Sequence, residues 1–365
     1  MRRFSRWLLA LTATAMLAGC QQDCDTTTAT ATAAPAETIK WKLVTSWPKN
    51  FPGLGTAPER FATLVNDMSG GRLQIKVYGA GELVPALQVF DAVSQGTAEM
   101  GHSGAYYWKG KTAASQFFTS VPFGLTAQEM NGWMEYGGGQ QLWEEVYAPF
   151  NLLPMPGGNT GVQMGGWFNK EINSVEDLKG LKMRIPGIGG EVLARAGGTP
   201  VTLPGGEIFT SLQTGAIDAT EWVGPYNDLA FGLYKVAKHY YYPGWHEPGS
   251  MMEFVINKPA FEKLPADLQA IVKVATKAIN EDMLSEFTMR NQNALVELKE
   301  KHGVDVRPFP DEVLKKLQML SDEVVAEVAQ TDDMTRKVYE SFRTFRDKVR
   351  AYHAVSEQAY INARD

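Results

Sequence analysis

Apolar and polar residues alternate from Ile39, with Ile39, Trp41 and Leu43 set against Lys40 and Lys42, a period of two that predicts a strand ending near Trp47-Pro48. The period then lengthens. Phe61, Leu64 and Val65 recur at helical spacing, predicting a helix over 57–68 that stops at Gly70-Gly71, and RLQIKVYGAG returns to strand. A second helix is predicted over 83–95 (Val84, Leu87, Phe90, Val93), closed by Gly96 before the extended TAEMGHSGAYYW. Strand–helix–strand–helix–strand is the signature of parallel βαβ units. A short echo suggests a second, related half: Ala92 to Glu99 matches in type Ser211 to Asp218, each a helix end, a glycine and an acidic residue opening a strand. Further on, MEFVIN (252–257) reads as a strand and 258–303 as mostly helix, with Leu268, Ile271, Val272, Val274, Ala275 and Ile279 as its stripe. VDVRPFP is a short extended piece. Beyond Pro310 the chain is almost entirely helix former, with apolar positions Val313, Leu317, Leu320, Val324 and Val328, then Phe342, Phe345, Val349 and Tyr352.

The stretch Gly157–Arg184 is the most informative. Ser174 with Glu176 and Asp177 marks a helix start that Gly180 stops, and Leu181–Ile185 alternates apolar and cationic residues as a half-buried strand does. Pro186-Gly187 ends that strand directly after Arg184. Ligands of open α/β sheets bind outside the carboxyl ends of strands, so Arg184 stands where its fork of donors suits a carboxylate. A surface ion pair is the plainer reading. Glu221 (DATEWVGPY) and Glu247 (GWHEPG) are carboxylates among aromatic residues, which lose hydration unless something pairs them. Arg184 is one candidate partner. A bound cation is the other, held by Gln163, Glu221, Glu247 and a backbone carbonyl near Trp222.

Composition narrows the class. The net charge of -6, with 35 basic and 41 acidic residues and no Lys/Arg-rich run, argues against nucleic acid as a partner. Arg2, Arg3 and Arg6 precede WLLALTATAMLAG, too short to span a bilayer but suited to a secretory signal over 1–19. Leu17-Ala18-Gly19-Cys20 resembles a bacterial lipobox, with Cys20 lipidated and 20–37 a low-complexity tether; an ordinary signal cleaved near Ala33-Ala34 is the alternative. The other cysteine is Cys24, so the globular part has neither a disulfide framework nor a thiolate metal site. GHSGA at 101–105 imitates a hydrolase elbow but carries Ala105 where the last glycine belongs; a secreted serine hydrolase would use Ser103 with Asp218 and His239 or His246. A structural lipoprotein without a ligand is the third reading.

Taken together, PGGNTGVQMGGWF, NSVEDLKGLKMR, DATEWVGPY and YYYPGW resemble the substrate-binding proteins of TRAP (tripartite ATP-independent periplasmic) transporters of the DctP type, and within them the branch that binds 2-oxo acids or lactate with a metal ion. That resemblance implies an α/β fold of two lobes, a type II-like periplasmic binding protein with a ligand cleft, lobe-spanning helices and a helical C-terminus. It places one lobe at 38–158 plus about 250–285 and the other at 159–249, with 286–365 packing on the second lobe and able to dimerise. It assigns Arg184 to the substrate carboxylate, with Asn159 and either Tyr106 or Tyr107 as hydrogen-bonding partners and Trp222 and Gln163 lining the site. Gln163, Glu221, Trp222 (through its carbonyl) and Glu247 match a shell for sodium or calcium. The implied activity is binding without catalysis: capture of a small organic anion such as pyruvate, and delivery to membrane permease subunits.

Overall fold

The computed structural model describes residues 38–364. The signal segment, Cys20 and the tether lie outside the described residues. Eleven strands are present among them: β1 (Ile39–Thr45), β2 (Leu73–Tyr78), β3 (Met100–Ser103), β4 (Leu152–Asn159), β5 (Gly166–Phe168), β6 (Lys182–Arg184), β7 (Thr199–Val201), β8 (Ala219–Thr220), β9 (His239–Tyr242), β10 (Met251–Asn257) and β11 (Asp305–Pro308). They form two sheets, ordered β2-β1-β3-β10-β4 and β11-β9-β5-β8-β6-β7. In the first, β2 and β3 both run parallel to β1, as the βαβ pattern requires, and β10 enters antiparallel between β3 and β4. In the second, β6 runs parallel to β7 and β8, while β5 pairs antiparallel with β8 and β9. The fold is thus α/β with two helix-covered sheets and a helical C-terminus.

The internal echo has a structural counterpart. Gly96 and Gly215 follow the helices Val89–Ser94 and Gly205–Gln213 with φ of 75° and 74°, the left-handed turn that glycine enters without a Cβ clash. Each is followed three residues on by an acidic residue that accepts from a backbone N–H of a neighbouring strand. Glu99 accepts from the backbone N–H of Lys42 at 2.7 Å, and Asp218 from that of Lys182 at 3.0 Å.

Three expectations change. The helix expected over 83–95 is a 3-10 turn, Ala86–Gln88, followed by the short helix Val89–Ser94. Pro85 is the reason, since it pushes the residue before it out of the helical region. The boundary expected near 285 falls inside one unbroken helix, Ala266–Glu300, which buries Leu268, Val272, Ala275 and Ile279 but leaves Val274 54% exposed. The C-terminal helices do not share one seat. Asp311–Val328 lies against Gly187–Arg195 beside the second sheet, whereas Asp333–His353 lies against Ala127–Tyr136 and Gly139–Tyr147 beside the first. There Phe342 packs edge-on to Trp133 at 5.3 Å, and Tyr352, expected in the same stripe, is instead exposed.

Candidate functional site

The site forms where strand ends of the two sheets meet. Arg184 ends β6, and the parallel pairing of β6 with β8 sets it opposite Thr220, so the next residue, Glu221, emerges at the same level. The Glu221 N–H donates to the Arg184 carbonyl at 3.2 Å, fixing the two backbones together. Arg184 is buried and each of its three nitrogens donates: Nε to the Leu203 carbonyl at 3.2 Å, Nη1 to Glu221 Oε1, and Nη2 to the Tyr107 hydroxyl at 2.9 Å. Its guanidinium lies 5.1 Å from the centre of the Trp222 ring. Burial opposes the charge, but Tyr107 and Glu221 outweigh it and hold the Arg184 pKa above its ordinary value.

Gln163 and Glu247 come together by a separate device. The Gln163 N–H donates to the Glu247 carbonyl at 3.1 Å, and the Gly244 N–H to the Gln163 carbonyl at 2.9 Å. A Cβ on Gly244 would stand 2.4 Å from that same carbonyl oxygen, so only glycine permits the approach. Gln163 Nε2 then donates to Glu247 Oε2 at 2.8 Å, which Ser250 also reaches. Burial and the nearby Glu221 push the Glu247 carboxyl up to about 7. Asn159 closes β4 opposite Met251, with its Oδ1 accepting from the Gly161 N–H at 2.9 Å.

Among the buried polar atoms left without partners are both ring nitrogens of His246 and four atoms of the residues singled out above. Glu221 Oε2 and Gln163 Oε1 are buried acceptors, and Asn159 Nδ2 and Trp222 Nε1 are buried donors, none of them hydrogen bonded. Buried polar groups are nearly always satisfied, so the acceptors call for a cation and the donors for an anion or acceptor. Ligand atoms of Glu221, His246 and Glu247 lie within 4.8 Å of one another. Two carboxylates that close repel by about 3 kcal/mol at an effective dielectric of 20. Arg184 offsets part of this through Glu221, and a cation in the cluster would remove the rest. A narrow cavity of about 10 Å³ adjoins these groups, lined by Trp47, Leu54, Tyr106, Thr160, Gln163 and Trp222 among others. A wider groove of about 430 Å³, behind the edge strand β4 at Glu135, Gln140, Lys273 and Lys277, shares no residue with it.

The structure brings Arg184, Glu221, Trp222, Tyr106, Tyr107, Gln163 and Glu247 together, and Asn159 ends β4 next to Thr160, which lines the cavity. Of the two tyrosines left open, Tyr107 touches Arg184, while Tyr106 lines the cavity with its ring 4.6 Å from that of Tyr107. Sequence reasoning missed Trp47, which lines the cavity, and saw His246 only as a hydrolase partner. The adjacency of His246 to Glu247 was the available signal. The hydrolase reading loses its parts: Ser103 Oγ is buried against Ser46 Oγ at 2.6 Å, and His239 pairs with Asp305 in the other sheet. His102 bridges instead. It accepts from Trp47 Nε1 at 2.8 Å and contacts the Gly157 carbonyl at 2.9 Å, while burial pulls its pKa down to about 4 and keeps it neutral.

Residues 43–332 match the bacterial extracellular solute-binding proteins, family 7 (DctP). The chain belongs to that family. A DctP-family protein is the substrate-binding component of a transport system, and the resemblance to TRAP receptors noted above is borne out. A monocarboxylate 2-oxoacid-binding periplasmic protein from Nostoc is 45% identical, over 96% of this chain and 95% of its own. A TRAP periplasmic solute-binding protein from Pseudoalteromonas atlantica, solved with bound sodium and pyruvate, is 47% identical with a TM-score of 0.87, covering 89% of this chain and 99% of its own. Another from Colwellia psychrerythraea, solved with calcium and pyruvate, is 46% identical with a TM-score of 0.87, covering 90% of this chain and 100% of its own.

Proposed function

We propose that this DctP-family receptor captures a small monocarboxylate, a 2-oxo acid such as pyruvate or the related lactate, together with one sodium or calcium ion, and hands it to the membrane permease subunits of a TRAP transporter. The observation that carries this reading is the presence of orphaned groups of both kinds: donors at Trp222, which lies against Arg184, and at Asn159, and acceptors at Gln163 and Glu221, with Gln163 bonded to Glu247. Arg184 and Tyr107 take the carboxylate, with Asn159 and Tyr106 as further hydrogen-bonding partners. Gln163 Oε1, Glu221, the Trp222 carbonyl and Glu247 hold the cation, which the acid shares. The ligands bound by the Pseudoalteromonas, Colwellia and Nostoc relatives support the same assignment.

Because each ligand completes what the other leaves unpaired, their binding is cooperative and favours closure over the acid. Titration calorimetry of pyruvate, lactate and longer 2-oxo acids, with and without Ca²⁺ or Na⁺, is the test. Cation-dependent binding of at least one acid is expected; no binding across the panel with either ion refutes the reading. The signal segment and Cys20 fit export to the periplasm with lipid attachment, which mass spectrometry of the mature N-terminus checks. The last helix, Glu357–Arg364, buries no residue, and Tyr352, Val355 and Tyr360 are 64%, 78% and 66% exposed. That face supports a homodimer through the C-terminal helices, testable by sedimentation.

A further inference from the structure

His246 has no place in the ligand set drawn so far, and its environment is unusual. It is 2% exposed, and neither ring nitrogen has a hydrogen-bond partner. The other fully buried histidine among the described residues, His102, uses both of its nitrogens. His246 Nε2 instead lies 3.4 Å from Glu221 Oε2, which is itself unpartnered. The helix Gly187–Arg195 comes close to the root of this side chain: a Cβ on Gly189 would meet the His246 Cβ at 3.0 Å.

We propose that His246 is a nitrogen ligand of the cation site, so that the receptor binds a first-row divalent ion such as Co²⁺, Ni²⁺ or Zn²⁺ there through His246, Glu221, Glu247 and Gln163 Oε1. This rests on the reading of the site given above and extends it. Sodium and calcium take oxygen ligands, and an imidazole adds little for them. A borderline ion gains from the same lone pair, which makes an imidazole with two carboxylates a donor set that favours it. The buried and unsatisfied ring meets that requirement at no cost in lost hydrogen bonds.

The experiment uses the full chain, stripped with a chelator and titrated with CoCl₂ alone. One Co²⁺ per chain is expected, with visible d–d absorption, displacement by excess Ca²⁺, and paramagnetically shifted imidazole ring protons in the NMR spectrum. His246→Gln removes the shifted protons and lowers the ratio of Co²⁺ to Ca²⁺ affinity by at least about tenfold, the least that loss of a metal-supporting group costs. The wild-type NMR signature needs no variant, so a misfolded substitution leaves the test intact. Absence of Co²⁺ binding, or binding without shifted imidazole protons, overturns the proposal. Ca²⁺-dependent pyruvate binding is measured on the same sample. If it persists while Co²⁺ ligation fails, only this inference falls; if it is absent as well, the reading of the site falls with it.

Discussion

Replacing Arg184 separates the site's two jobs, gripping the ligand and neutralising Glu221. Both side chains are essentially inaccessible, at 1% and 0% exposure, so Arg184→Ala leaves a buried carboxylate without its partner. Breaking a buried pair in this way costs about 3–5 kcal/mol. For a chain of this size each kcal/mol lowers Tm by about 2 °C, so a drop of roughly 6–10 °C is expected by calorimetry. Arg184→Lys keeps the charge near Glu221 but loses the fork that also serves Tyr107 and the Leu203 carbonyl. Its loss in binding is one charge-assisted hydrogen bond, about 1.5–3 kcal/mol, which weakens the acid about 10- to 150-fold. Isothermal titration with pyruvate and saturating Ca²⁺, run well below the Tm of each variant, keeps fold loss out of the affinity. If Arg184→Lys binds the acid as tightly as wild type, Arg184 does not hold the carboxylate and the placement of the ligand is wrong.

Glu253 gives a pH prediction away from the ligand groups. Its carboxylate is buried on β10, accepting from Trp108 Nε1 at 2.5 Å and the Tyr147 hydroxyl at 2.8 Å, and burial pushes its pKa up to about 7 despite those donors. The folded protein therefore keeps a proton that the unfolded chain releases near 4.5, and stability is lost as pH rises through that window. About 3 kcal/mol separates the two ends. Glu253→Gln should flatten this dependence and stabilise the protein at pH 8 in urea titrations; a slope unchanged from wild type would show that another group sets it. Gly244→Ala should lower both Tm and cation affinity, since its Cβ would collide with the Gln163 backbone; unchanged calorimetric affinity for Ca²⁺ would contradict the placement of Gln163. Ser103→Ala should keep full affinity for the acid and lose about 1 kcal/mol of stability with the Ser46 hydrogen bond. Loss of binding in that variant would reopen a direct role for Ser103.

The elements of this protein were legible in its sequence because they follow from local causes. The alternation around Trp41, the helical stripe of Phe61 and Val65, the glycines that end helices at 96 and 215, and the strand stop at Pro186 each depend on a few neighbouring residues. Local cues fell short where they competed, as at Pro85, or where packing chose a partner, as for the two C-terminal helices that settle beside different sheets. The candidate residues were recognised through motifs, but their mutual arrangement is a long-range matter. Arg184 and Glu221 are 37 positions apart, Arg184 and Tyr107 77, and Gln163 and Glu247 84. Only the order of strands in each sheet, and the glycine that lets two backbones touch at Gln163, brings those groups into one place. The same packing decided that Arg184 satisfies one Glu221 oxygen and leaves the other free, and that His246 faces a carboxylate instead of a serine. A sequence states which charges exist; their separation and their access to water, which set the chemistry, exist only once the chain has folded.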